Sequence, residues 1–123
     1  MRLAERFPGS LDDAAAFVDS LLPELEVRSC IGVGGTVAQL QLLAGELSLG
    51  AVERELDYLA ALPLEERRRV PKLNPDRAPV IVTGALIVRQ VLRRYELDRL
   101  AYSERDLLDG IVLYSISRFR HLA

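Results

Sequence analysis

Apolar residues along this chain recur in two rhythms, and glycine or proline marks most of the changes between them. Ala14, Phe17, Val18, Leu21 and Leu22 fall three and four apart, the interval of one buried helical face. Ser10 stands ahead of them as a capping hydroxyl, Asp12 and Asp13 lie at the positive end of the helix dipole, and Pro23 ends the run. "VRSCIGV" (27–33) is β-branched and apolar, which predicts a buried strand, and it enters the glycine turn Gly34-Gly35-Thr36 directly. "VAQLQLLAG" then predicts a helix with Gly45 as its stop. Ser48 and Gly50 open another, which turns Val52, Leu56, Leu59 and Ala60 inward. "PLEERRRV" predicts a short charged helix or helical turn, and "KLNPDRAP", with two prolines and an asparagine, predicts a loop.

The second half continues the alternation. "VIVTGA" (80–85) is a short β-branched run suited to a strand buried on both faces. It passes through Gly84 into "LIVRQVLRRYE", a helix pattern that puts Leu86, Val88, Val91, Leu92 and Tyr95 inward and the arginines outward. "DRLAYS" predicts one more short strand and "ERDLLDGIVLYSISRF" a terminal helix. "MRLAERF" predicts an opening strand closed by the turn Pro8-Gly9. Strands alternating with helices imply an α/β fold with a mainly parallel sheet and flanking helices. The strands are few for the length, and the chain begins inside one of them, so the pattern reads as part of a larger domain.

Composition narrows the function classes. A chain of 123 residues, 50% hydrophobic and 28% charged, suits one soluble domain spanning 1–123. The formal net charge of −2 provides no global attraction for nucleic acid or an anionic membrane, and neither is expected as a partner. No apolar stretch approaches membrane-spanning length and "MRLAERFPGS" has no signal-peptide core, so a cytoplasmic protein is expected. Cys30 is the single cysteine and His121 the single histidine, far apart in sequence. An intramolecular disulfide is excluded, no metal site is expected, and no Ser/His/Asp or Cys/His set assembles at credible spacing. No catalytic residue is assigned to these residues.

The candidate chemistry is anion binding. Gly34, Gly35 and Thr36 at the start of a helix would offer backbone N–H groups and a hydroxyl to a phosphate. The same glycines equally suit close strand–helix packing with Thr36 as an ordinary cap, and both readings stay open. A dinucleotide fingerprint fails, because the third glycine of GxGxxG falls on Val37. Arg67, Arg68, Arg69, Lys72 and Arg77 lie close together, and a polyphosphate chain would favour such a patch because guanidinium binds phosphate bidentately. Glu65 and Glu66 adjoin them, so a solvated charged face is the competing reading. Arg77 is the best single candidate for phosphate contact. Gly84 would line the same cleft or let its helix pack tightly.

"IGVGGTVAQL", "LPLEERRRVPKLNPDRAPVIVTGALIV" and "YSERDLLDGIVL", in that order, resemble the C-terminal half of the Ppx/GppA (exopolyphosphatase / guanosine pentaphosphate phosphatase) family. The likeness runs from about Arg2 to Gly110. It implies the later portion of the second domain (domain II) of a two-domain, actin-like ATPase (ribonuclease H-like) fold closing over a phosphate cleft. It also implies a bacterial parent that removes terminal phosphate from inorganic polyphosphate or from guanosine pentaphosphate, usually with Mg²⁺. The family's catalytic glutamate domain and its DIGGGS-like phosphate hairpin have no counterpart here, so the resemblance implies one wall of the cleft, inactive alone and binding no cofactor itself. Where the family usually has Gly and Asp, this chain has Lys72 and Pro79. The alternatives are a stand-alone regulatory or interaction protein, or a nucleotide-binding module, on the same half-domain. An exposed sheet edge would favour a homodimer.

Overall fold

The computed structural model describes residues 11–24, 27–103 and 110–115. In chain order they form α1 (Leu11–Leu21), β1 (Val27–Val33), α2 (Gly35–Ala44), α3 (Leu49–Ala60) and the short α4 (Leu64–Arg67). A 3₁₀ turn (Pro75–Arg77) then leads into α5 (Ala78–Arg94), followed by β2 (Ala101–Ser103) and β3 (Gly110–Ser115). The expected strand at 1–7 and the Ser10 cap lie outside the described residues. The sheet has the order β2-β1-β3, with β1 central. β2 runs parallel to β1, Ile31 opposite Ala101, and β3 runs antiparallel, Cys30 opposite Leu113. A parallel neighbour needs a long crossover, and the helices from α2 to α5 supply it.

Local signals explain most boundaries. Ser48 accepts a hydrogen bond from the Ala51 N–H and so caps α3. Gly45 takes the left-handed conformation at φ 84° and closes α2, its N–H donating to the Gln41 carbonyl. The stretch after α5 folds back on the start of α3: the Leu49 N–H donates to the Asp98 carbonyl and the Leu100 N–H to the Leu47 carbonyl. Those bonds set the approach of β2 to the edge of β1.

Two elements differ from the sequence pattern. Residues 80–85, expected as a strand, belong to α5. Asn74 caps the preceding 3₁₀ turn by accepting from the Asp76 N–H, and Pro79 sits in the first helical turn, where a missing N–H costs no intrahelical bond. Ala78, Ile81, Val82, Ala85, Leu86 and Val88 are all buried against α1, α2 and α3. Burial on several sides, at about 1.5–3 kcal/mol for each large aliphatic side chain, overrides the strand preference of the β-branched run. Residues 110–115 of the expected terminal helix form β3 instead, where backbone pairing with β1 suits the run "GIVLYS". The rest of that expected helix lies outside the described residues.

α5 is the axis of the core. Leu92 and Ile81 on α5, with Val52, Leu56 and Leu59 on α3, have no exposed surface. Gln90 is the buried polar residue of α5; its amide donates to Asp19 on α1 at 2.9 Å, and its carbonyl oxygen accepts from Arg89. Tyr95 donates its hydroxyl proton to the Pro23 carbonyl at 2.7 Å, so both contacts hold the C-terminal end of α1 against α5. Among the described residues no helix is long and apolar enough to cross a membrane.

Two features of this frame are directly measurable. Lys72 sits at φ 72°, a left-handed conformation that strains a side chain with a Cβ. Lys72→Gly is expected to raise the unfolding free energy by about 0.5–1 kcal/mol in urea titration. Cys30 is buried in β1, and burial pushes its thiol from 9.0 up to about 11. The folded state therefore holds this proton more tightly than the unfolded chain. Its contribution is fully present below pH 9.0 and is lost as pH rises toward about 11. The urea midpoint is expected to fall over that interval, with a shallower fall in Cys30→Ala.

Candidate phosphate site

The turn at the carboxyl end of β1 is the place where open α/β sheets commonly bind ligands. Its geometry follows from three small residues. Gly34 is the N-cap of α2 at φ 93° and ψ 175°, a conformation essentially confined to glycine, and no side chain caps the helix. The first turn of α2 carries no acidic residue, so its dipole end is not neutralised by an adjacent carboxylate of its own. N–H groups in the first turn of a helix have no acceptor within that helix, and they point toward whatever lies before it.

Arg77 is brought onto this turn from 41 residues away in sequence. Its Nη1 donates to Thr36 Oγ1 at 3.0 Å. The guanidinium occupies the space where a Cβ on Gly35 would stand, so a side chain at that position would displace Arg77. Gly84 on α5 meets the same turn from behind: a Cβ there would come within 2.6 Å of Thr36 Cγ2. Gly84 thus serves tight helix packing rather than lining a cleft. Gly34, Gly35, Thr36 and Arg77 form one cluster, with Gly84 setting its depth.

The remaining cations of the basic run divide by role. Arg67 turns inward and donates to three backbone carbonyls, those of Leu59 and Leu62 at 3.0 Å and Ala78 at 3.3 Å. Burial holds its guanidinium below the ordinary value. Arg68 pairs with Glu65 at 3.1 Å on an exposed face, an interaction that contributes little. Arg69 and Lys72 are exposed. The sequence pattern did not single out Arg67 for a structural role, because a guanidinium bound to backbone carbonyls leaves no side-chain motif. Nor did it pair Gln39 with the loop, where its side-chain oxygen accepts from the Asn74 N–H.

The donor set at the turn is a guanidinium, a hydroxyl and helix N–H groups, which matches a phosphate and not a divalent cation. Among the described residues no group of three His, Cys, Asp or Glu side chains is gathered to hold a metal ion. A separate open depression of about 380 Å³, lined by Ser29, Cys30, Glu96, Leu97, Asp98, Arg99 and Ala101, does not include the glycine turn.

Comparison with known proteins agrees with this architecture. The sequence profile of the Ppx/GppA phosphatase family matches residues 12–119. Proteins named Exopolyphosphatase 2 from two Mycobacterium tuberculosis strains (CDC 1551 / Oshkosh and H37Rv) are each 30% identical over 105 residues, covering 70% of this chain and 32% of their own length. The solved Aquifex aeolicus PPX-GPPA enzyme superposes with a TM-score of 0.73 at 25% identity, over 83% of this chain and 42% of that one. An exopolyphosphatase-like protein of known structure gives 0.71 at 24% identity, over the same shares. The chain spans about a third of the length of the curated relatives it matches. Its fold is that of part of an actin-like ATPase domain.

Proposed function

Because this chain belongs to the Ppx/GppA phosphatase family, we propose that it forms one wall of a phosphoanhydride-hydrolysing cleft. In this reading Gly34, Gly35 and Thr36 present N–H groups and a hydroxyl to a phosphate of inorganic polyphosphate or guanosine pentaphosphate. Arg77 closes over that phosphate and offsets its charge. The observation that carries the reading is the meeting of Arg77 with the Gly35-Thr36 turn at a helix N-terminus. Guanidinium and helix N–H groups bind phosphate oxygens by charge-assisted hydrogen bonds, each stronger than a neutral pair.

Hydrolysis also needs a positioned water, a base, and stabilisation of charge developing on the transferred phosphoryl group. These residues supply donors for the last requirement. The base is assigned to polypeptide beyond these 123 residues, in keeping with the one-third share of the relatives' length. The donor groups of this turn do not suit Mg²⁺, which takes carboxylate, carbonyl and water oxygens. The chain is then a binding half that does not turn over substrate by itself, working in the cytoplasm where polyphosphate and nucleotide alarmones would meet it.

The test is a phosphate-release assay with polyphosphate and guanosine pentaphosphate, run on this chain and on a longer polypeptide carrying both family domains. Release is expected from the longer polypeptide only, while the short chain binds tripolyphosphate without consuming it. Turnover by these residues alone would overturn the assignment of the base. Binding of ATP in preference to tripolyphosphate would favour a nucleotide-binding module instead.

A further inference from the structure

Arg77 reaches the glycine turn from a loop that has little regular structure of its own. Residues 68–77 pass from α4 through a turn at Lys72 to the 3₁₀ turn, and most of their side chains are exposed. A long cationic side chain on a loop of this kind samples many positions unless its backbone is held. Something must hold its end in place.

Arg67 does so. Its Nε donates to the Leu59 carbonyl and its Nη2 to the Leu62 carbonyl, gripping the C-terminal end of α3. Its Nη1 donates to the carbonyl of Ala78, the residue that follows Arg77. One planar fork thereby ties the end of one core helix to the start of another. Lysine could not reproduce it, having a single nitrogen to reach three divergent acceptors. From the other side, Gln39 on α2 accepts from the Asn74 N–H, and the Arg77 N–H donates to the Asn74 carbonyl. The backbone of Arg77 is thus referred to α2 and α3, and α2 is the helix whose N-terminus forms the turn.

We infer that Arg67 is a positioning residue for the phosphate site, acting through Arg77 by fixing the Arg77-Ala78 backbone over Gly35 and Thr36. The inference deepens the anion-site reading and rests on it for its effect on affinity, while the placement of Arg77 is measurable without any ligand. The electrostatics of the basic run alone would not produce this division: five cations lie within eleven residues, yet Arg67 spends its donors on carbonyls and Arg77 on the turn.

The experiment measures tripolyphosphate affinity by calorimetry for the unaltered chain, Arg67→Lys, Arg77→Ala and the double variant, with thermal unfolding followed in parallel. Arg67→Lys keeps the charge, so a general electrostatic role predicts no change, whereas lost positioning is expected to weaken affinity by about five- to tenfold. In the Arg77→Ala background the Arg67→Lys change is expected to add no further loss. The second readout is the arginine Nε–Hε spectrum without ligand, in which the Arg77 signal is expected to move in Arg67→Lys. Should Arg67→Lys lose its fold, Gln39→Ala loosens the same loop from α2 and is expected to move the Arg77 signal likewise. An unmoved Arg77 signal, or equal losses in both backgrounds, would overturn the positioning role. A moved signal with no tripolyphosphate affinity in any form would leave the positioning geometry standing and remove the anion-site reading and the affinity effect that rests on it.

Discussion

Arg77→Ala is expected to weaken tripolyphosphate binding by about ten- to a hundredfold, equivalent to roughly 1.5–3 kcal/mol for a charge-assisted contact. The direction follows from what the side chain supplies. A guanidinium brings two parallel donors and a full positive charge to a turn whose other donors carry only partial charge. Arg77→Lys keeps the charge and loses the fork, so an intermediate affinity is expected. The fold should tolerate both changes, because Arg77 is only half-buried and is not one of the buried core residues. Calorimetry at fixed ionic strength, with thermal unfolding as the control, checks both statements. Affinity unchanged in Arg77→Ala would remove the side chain from the site.

Leu56→Ala carries the largest expected cost in stability. Leu56 is fully buried on α3, in the face packed against α5. Truncation removes its buried methyl groups and leaves a cavity that closely packed helices refill only in part. The expected loss is about 2–5 kcal/mol, a large fraction of the roughly 5–15 kcal/mol that stabilises an ordinary domain. Tyr58, two positions on, is 52% exposed and is the internal comparison. Tyr58→Ala is expected to stay within about 0.5 kcal/mol of the parent in the same urea titration. Similar losses at the two positions would mean that α3 presents a different face to the core.

The sequence pattern made the fold class legible, and the candidate site only as residue types. Gly34, Gly35, Thr36 and Arg77 were legible as candidates because phosphate chemistry needs particular residue types, and those types stand out among their neighbours. Their meeting in space was not, since no periodicity connects positions 41 residues apart. The helix boundaries at Ser48 and Gly45 were legible for a local reason: capping and left-handed closure are decided within a few residues. "VIVTGA" was misread because burial on several sides removes the polar positions that distinguish a helix from a strand. Periodicity then falls silent and β-branching points the wrong way. Pro79 just after the Asn74 cap was the available signal for a helix start. "GIVLYS" was misread in the opposite sense, because its partner β1 lies some eighty residues earlier and pairing across such a distance leaves no local trace.

Gly84 shows how one residue type can support either reading. In sequence it follows a β-branched run and suits either a cleft wall or a tightly packed helix. In the fold it is a mid-helix glycine, a position that ordinarily costs about 1 kcal/mol relative to alanine. The contact that a Cβ would make with Thr36 supplies the reason for accepting that cost. The depth of α2 against α5, and with it the height of the Thr36 hydroxyl beside Arg77, depends on this missing methyl group. Packing and site chemistry therefore meet in one residue.

The most direct measurement is a backbone amide titration of this chain with tripolyphosphate, read by ¹H–¹⁵N correlation spectra. The account predicts saturable shifts concentrated at Gly34, Gly35, Thr36 and Arg77, and their disappearance in Arg77→Ala. Shifts confined to the depression near Cys30 and Asp98, or spread evenly over exposed arginines, would contradict it.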